Sequence, residues 1–133
     1  MSGGSRYWCY HCYGLNARAR GACTHCGRPI EIPDALSFEQ RLVWTLGHPD
    51  GDRAVLAARL LGDRRAQIAA PALSRLIAES RDPFLAAQAL QSLVAIEGIG
   101  PLRELLLELT DGQSVSLSRI ARRALASTQQ PAR

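Results

Sequence analysis

The chain has no lysine: all 16 of its basic residues are arginine. That absence excludes a Walker-type phosphate loop, a Schiff-base lysine and a serine–lysine dyad, each of which needs the ε-amine. Aromatic residues are few, 5% of the chain against 47% hydrophobic overall. No apolar stretch approaches the roughly 18 residues that a membrane span requires. Met1–Ser5 lacks the apolar core of a signal peptide. The expected location is the cytoplasm, where thiols stay reduced and paired cysteines bind metal more often than each other. Sixteen arginines against 12 acidic residues leave a formal charge of +4, which permits a nucleic-acid partner without demanding one. Arginine in place of lysine, with much Ala and Leu, is a composition associated with GC-rich bacterial genomes.

The chain's 133 residues hold one compact domain, or one small domain with a mini-domain. The composition changes near residue 33. All four Cys and all three Tyr lie within 6–28, a stretch without an acidic residue. Cys9-Tyr10-His11-Cys12 is followed, ten residues on, by Cys23-Thr24-His25-Cys26. Two Cys-x-x-Cys knuckles can close a tetrahedral Zn²⁺ site with sulfur at about 2.3 Å. A segment this short has little hydrophobic core, so the metal would supply its folding energy. With four protein ligands no position stays open for water, and the expected zinc is structural. Two disulfides, a redox dithiol and a rubredoxin-like iron site are the competing readings. His11 and His25 lie inside the knuckles and are expected to face solvent or bond to the backbone.

The pattern Trp8-Cys9-x-x-Cys12, Asn16 and Cys23-x-x-Cys26 resembles the Ran-binding-protein-type (nucleoporin) zinc finger over residues 7–28. The resemblance implies that Asn16 braces the loop between the knuckles and that Trp8 packs under the metal site. The chain departs from the family in having Tyr7 where a Trp usually stands. In that family the RNA-binding branch has an aromatic residue after the Asn, where this chain has Ala17. Losing that ring removes roughly 1–3 kcal/mol of stacking per base. The ubiquitin-binding branch has Thr-Phe after the second Cys, where this chain has Tyr13-Gly14. A generic short zinc ribbon is the fallback.

Residues 29–36, with Pro29 and Pro33, read as a stiff connector. From 37 to 133 the apolar spacing is helical. Ser37-Phe38-Glu39-Gln40 fits a capping box. Helices are expected to bury Phe38, Leu42, Val43 and Leu46, then Val55, Leu56, Leu60 and Leu61. A third runs from near Pro71, and a fourth starts at the Asp82 N-cap and Pro83 and carries Phe84, Leu85, Leu90, Leu93 and Val94. Gly98-Ile99-Gly100 reads as a stop, Pro101 as the opening of a fifth helix, and Leu117, Ile120, Ala121 and Leu125 as the stripe of a sixth. Strands are expected only in the cysteine region. Pro71-Ala72-Leu73-Ser74-Arg75-Leu76 lines up with Pro101-Leu102-Arg103-Glu104-Leu105-Leu106, thirty residues on. Together with Ala57-Ala58-Arg59-Leu60-Leu61 and Ala121-Arg122-Arg123-Ala124-Leu125, this resembles the HEAT repeat over about 38–126. It implies a mainly α fold: three α-α units, about six helices, sharing one core, with the small four-cysteine finger in front. A six-helix bundle without repeat symmetry is the plain alternative.

The candidate contact residues are Arg18 and Arg20 in the finger loop, Arg59, Arg64 and Arg65 at the end of the second helix, and Arg119, Arg122 and Arg123 on the sixth. The HEAT resemblance would turn the two helical clusters towards one groove. A catalytic set is missing. No Glu-x-x-His or His-Glu pair supports the di-iron chemistry of some HEAT-like enzymes, His48 beside Asp50 and Asp52 reads as turn filler, and Gly98-Ile99-Gly100 is no phosphate loop. The expected function is a non-enzymatic zinc-binding adaptor for a protein partner, with RNA or DNA binding by the arginines as the alternative. Residues 1–33 carry four Arg against Glu31, and a Zn²⁺ on four thiolates contributes −2. Much of the basic excess therefore offsets the metal centre, which favours the protein partner.

Overall fold

Helix boundaries follow the punctuation of the sequence. In a computed structural model that describes residues 6–127, six helices are found: α1 (Phe38–Thr45), α2 (Gly51–Asp63), α3 (Ala70–Glu79), α4 (Pro83–Glu97), α5 (Ile99–Thr110) and α6 (Val115–Ser127). Strands among the described residues are confined to the cysteine region: β1 (Tyr7–Trp8) pairs antiparallel with β2 (Leu15–Asn16). Met1–Ser5, whose lack of an apolar core argued against a signal peptide, and the polar end from 128 lie outside the described residues. No described helix is long and apolar enough to cross a membrane. The chain forms two compact units, Met1–Phe38 and Glu39–Arg133.

Asp50 caps α2, its side chain accepting from the Asp52 N–H at 3.0 Å. Asp82 caps α4, with Oδ1 accepting from the N–H groups of Phe84 (2.9 Å) and Leu85 (3.4 Å), and Pro83 stands in the first turn. Two local expectations change. A 3-10 turn over Gln67–Ala69 precedes α3. The stop after α4 is Gly98 alone, at φ 79°, where glycine has no Cβ to clash. Ile99 and Gly100 belong to α5, and Pro101 is its third residue rather than its opening; a first-turn N–H has no intrahelical partner, so proline is tolerated there.

In the helical unit α4 is the hub. It packs on α2, α3, α5 and α6, while α5 pairs with α6. α2 and α4 lie side by side and run parallel. At one end a Cβ on Gly51 would stand 3.2 Å from Asp82 Oδ2; towards the other, Ser92 Oγ donates to the Ala58 carbonyl at 2.6 Å and Gly62 faces Ser92. The core is aliphatic. Leu61, Leu73, Leu90, Leu93 and Leu106 are among its largest fully buried side chains. Three expected core positions are instead on the surface: Phe38, Leu56 and Phe84, the last 78% exposed. The buried face of α2 is Ala54, Ala57, Ala58, Leu61 and Gly62. Small side chains there bring the α2 and α4 backbones close, and Leu56 falls outside that stripe.

Asp82 combines a cap with a position beside the start of α2. Asp82→Ala is expected to lower stability by about 1–2 kcal/mol, seen as a lower denaturant midpoint at unchanged m value, with Asp82→Asn close to the parent. An alanine variant as stable as the parent would remove the capping role.

Candidate metal centre

Glycine and aromatic residues shape the turns of the finger. The turn after the first knuckle places Tyr13 at φ 62°, and the turn after the second places Gly27 at φ 78°. Each closes the same hydrogen-bond set, offset by 14 residues. Tyr13 N–H donates to Cys9 O and Gly27 N–H to Cys23 O, both at 2.9 Å. Cys9 N–H donates to Gly14 O and Cys23 N–H to Arg28 O, both at 2.8 Å. The β1–β2 pair brackets the first turn, and the Ala22–Pro29 bridge brackets the second. The finger reaches past its cysteines. Ile30 N–H bonds Gly21 O, Ile30 O accepts from Tyr10 N–H, and the Ile30 side chain is buried with Cys9 and Cys23. Pro29 and Ile30 therefore belong to the finger, not to the connector.

These turns converge the four sulfurs of Cys9, Cys12, Cys23 and Cys26 within 4.8 Å of one another. Cys9 Sγ stands 3.7 Å from Cys26 Sγ, and Cys12 Sγ stands 3.6 Å from Cys23 Sγ. A tetrahedron with metal–sulfur distances of about 2.3 Å has sulfur–sulfur edges of about 3.8 Å. The cage therefore fits a single ion, and these four cysteines could hold one. Backbone N–H groups of His11, Gly14 and His25 point at Cys9, Cys12 and Cys23 Sγ, each at 3.3 Å. Asn16 is buried and ties the knuckles together. Its Nδ2–H donates to Gly14 O (3.1 Å) and Cys23 Sγ (3.4 Å), while Oδ1 accepts from Thr24 N–H (3.0 Å) and Oγ1–H (3.2 Å). Donors aimed at sulfur favour thiolate, the ligand form.

Without a cation the four sulfurs cannot all be charged. Burial raises the Cys23 thiol, but the Asn16 amide and the His25 and Cys26 N–H groups outweigh it and draw the pKa down to about 6. At Cys12 the Gly14 N–H acts downward, yet desolvation and the neighbouring thiols push it up to about 12. An arriving metal must displace protons, so metal retention falls with pH.

The histidines lie outside the four-sulfur group. His25 bonds the Leu15 carbonyl through Nε2 at 3.0 Å, and exposed His11 packs edge-on against Tyr10. A Cβ on Gly14 would run into the His25 ring.

Arg18 and Arg20 are exposed in the finger loop. Arg59, Arg64 and Arg65 are exposed at the end of α2, and Arg119, Arg122 and Arg123 on α6. Two of these have partners within the fold: Arg64 pairs with Glu39 at 3.2 Å, and Arg122 Nη2 donates to Thr110 O at 3.2 Å. Arg119 and Arg122 share a groove at the α5–α6 turn.

His48 differs from the filler expected of it. It is buried, lies edge-on to Trp44 at 5.9 Å, and its Nδ1 accepts the Asp50 N–H at 3.0 Å. The hydrogen bond that joins it to Asp50 is made by the backbone N–H. Burial lowers its pKa below 6.5, Arg53 adds to the fall, and Asp50 opposes it. Because the folded value is depressed, this stabilisation is complete above the ordinary value and is lost as pH falls through the folded one. The melting temperature of the helical unit is expected to drop as pH falls below about 6.5, and His48→Asn to flatten that slope. Equal slopes in parent and variant would exclude the link.

Compared with family models, curated proteins and solved structures, the chain matches none.

Proposed function

We propose that the chain is a zinc-binding adaptor of the cytoplasm, without catalytic activity, which engages a protein partner through its helical surface and its finger. One observation supports the metal-binding part of the reading: protein sulfur supplies all four corners of a cage braced by Asn16 and three backbone N–H groups. Such a site leaves no open coordination position for a substrate, so the ion in it is structural. Thiolate softness and tetrahedral spacing favour Zn²⁺. The side-by-side packing of α2 and α4 supports a HEAT-like reading of the helical unit, and the hairpin pair in the finger supports the Ran-binding-type resemblance.

Elemental analysis is expected to return about one zinc per chain, and iron in its place would overturn the metal assignment. Capture from native extract, with and without nuclease, tests the partner. A protein retained in both arms is expected; retention lost on nuclease treatment favours the alternative, an RNA- or DNA-binding role for Arg18, Arg20 and the helical arginines. That alternative requires binding that weakens steeply with salt.

A further inference from the structure

Charge is unevenly distributed along the helical unit. Residues 39–114 contain eight Arg against ten acidic residues, whereas α6 contains Arg119, Arg122 and Arg123 and no acidic residue. The basic excess of the described helical unit therefore resides on its last helix. The three arginines lie at i, i+3 and i+4, which puts them on one face, and all three are exposed. Among the described residues, none of them pairs with a carboxylate. One donor of Arg122 goes to Thr110 O, and a guanidinium has five. Beside this face lies an open groove lined by Thr110, Gly112, Val115, Ser118, Arg119 and Arg122, with Val115 70% exposed.

We infer that the α6 arginine face and its groove dock an acidic segment of a partner protein, one that presents carboxylates at helical or extended spacing with an apolar side chain between them. This rests on the adaptor reading above. Guanidinium forks match carboxylates bidentately, and Val115 offers an apolar contact that a sugar–phosphate backbone cannot use. Asp111 also lines the groove and opposes a phosphomonoester dianion more than a singly charged carboxylate. Nucleic acid is disfavoured because Phe84 is the last aromatic residue in the sequence, so neither α5 nor α6 offers a ring for base stacking.

The test is fluorescence anisotropy of the zinc-loaded full chain with a labelled peptide of glutamates and two leucines. The parent is expected to bind it, and R119E/R123E to weaken binding by about tenfold or more. That variant keeps the Arg122–Thr110 bond, so helical signal and zinc content should be unchanged. R59E/R65E is expected to bind like the parent. Unchanged binding in R119E/R123E overturns the inference. So does an equal loss in R59E/R65E, which would mean general attraction, and so does tighter binding of a labelled oligouridine of the same charge. The two readings fail separately. A native partner retained by R119E/R123E defeats this surface and leaves the adaptor standing; failure of the parent to retain any protein defeats the adaptor.

Discussion

Removing the metal is expected to unfold the finger and leave the helices folded. In heteronuclear NMR spectra recorded with a zinc chelator, the amide signals of residues 6–30 should collapse towards random-coil positions, while the far-UV helical signal stays close to the parent's. The size of the effect follows from the composition of the finger. Its buried cluster is Cys9, Cys23 and Ile30, and two of these three belong to the candidate metal cage. Structural zinc contributes about 10–16 kcal/mol of apparent binding free energy in comparable peptides, far more than one isoleucine can supply. Cys23→Ser should reproduce the chelator spectrum, because it removes a buried sulfur, the acceptor of Asn16 Nδ2–H and the acceptor of the His25 N–H together. Dispersed finger signals that persist without zinc would mean that hydrogen bonds alone hold the knuckles. Re-adding zinc should restore the spectrum and release protons, since cysteine thiols of an unfolded segment are mostly protonated at neutral pH and bind metal as thiolates.

The second large effect is expected at Gly62→Val. A Cβ at this position would lie 2.6 Å from Ser92 Oγ, 2.7 Å from its Cβ and 2.8 Å from its Cα. Glycine in a helix interior costs about 1 kcal/mol relative to alanine, so a substitution there would ordinarily stabilise. Here the contact reverses the sign, because Ser92 Cα is backbone and cannot turn away. Overpacking costs about 1–3 kcal/mol even where side chains can adjust, and the branched side chain adds to it. The helical unit should melt about 10 °C or more below the parent. Ser92→Ala discriminates the causes. It removes Oγ, and with it the bond to Ala58 O, but leaves the Cα in place. The double variant should therefore remain destabilised. Recovery to the stability of Ser92→Ala alone would show that only the hydroxyl was in the way.

The cysteine spacing and the Asp82-Pro83 start of α4 were legible in the sequence because each rests on local chemistry: four thiols at knuckle distance, and a carboxylate one residue ahead of a proline. Other features depend on residues distant in the chain. Ile30 reads as linker until its backbone is seen bonded to Tyr10 and Gly21. Gly62 has no role that the sequence discloses until Ser92 is seen against it. Phe38, Leu56 and Phe84 look like core because apolar spacing cannot tell which side of a helix meets a neighbour. The buried alanines of α2 decide that question, and alanine carries little hydrophobic signal. His48 had one available sign, its place two residues before the Asp50 cap, but only burial shows that its ring accepts a backbone N–H.

The repeated hairpin of the finger bears on speed as well as stability. Its hydrogen bonds join residues between Tyr7 and Ile30, and each half closes its turn with its own cysteine carbonyl. Contacts this local form without a long search of conformations. Each half carries two of the four thiols, so once one pair holds an ion only a short segment of chain has to close for the other pair to reach it. Refolding around an added ion is then expected to be a fast, local event.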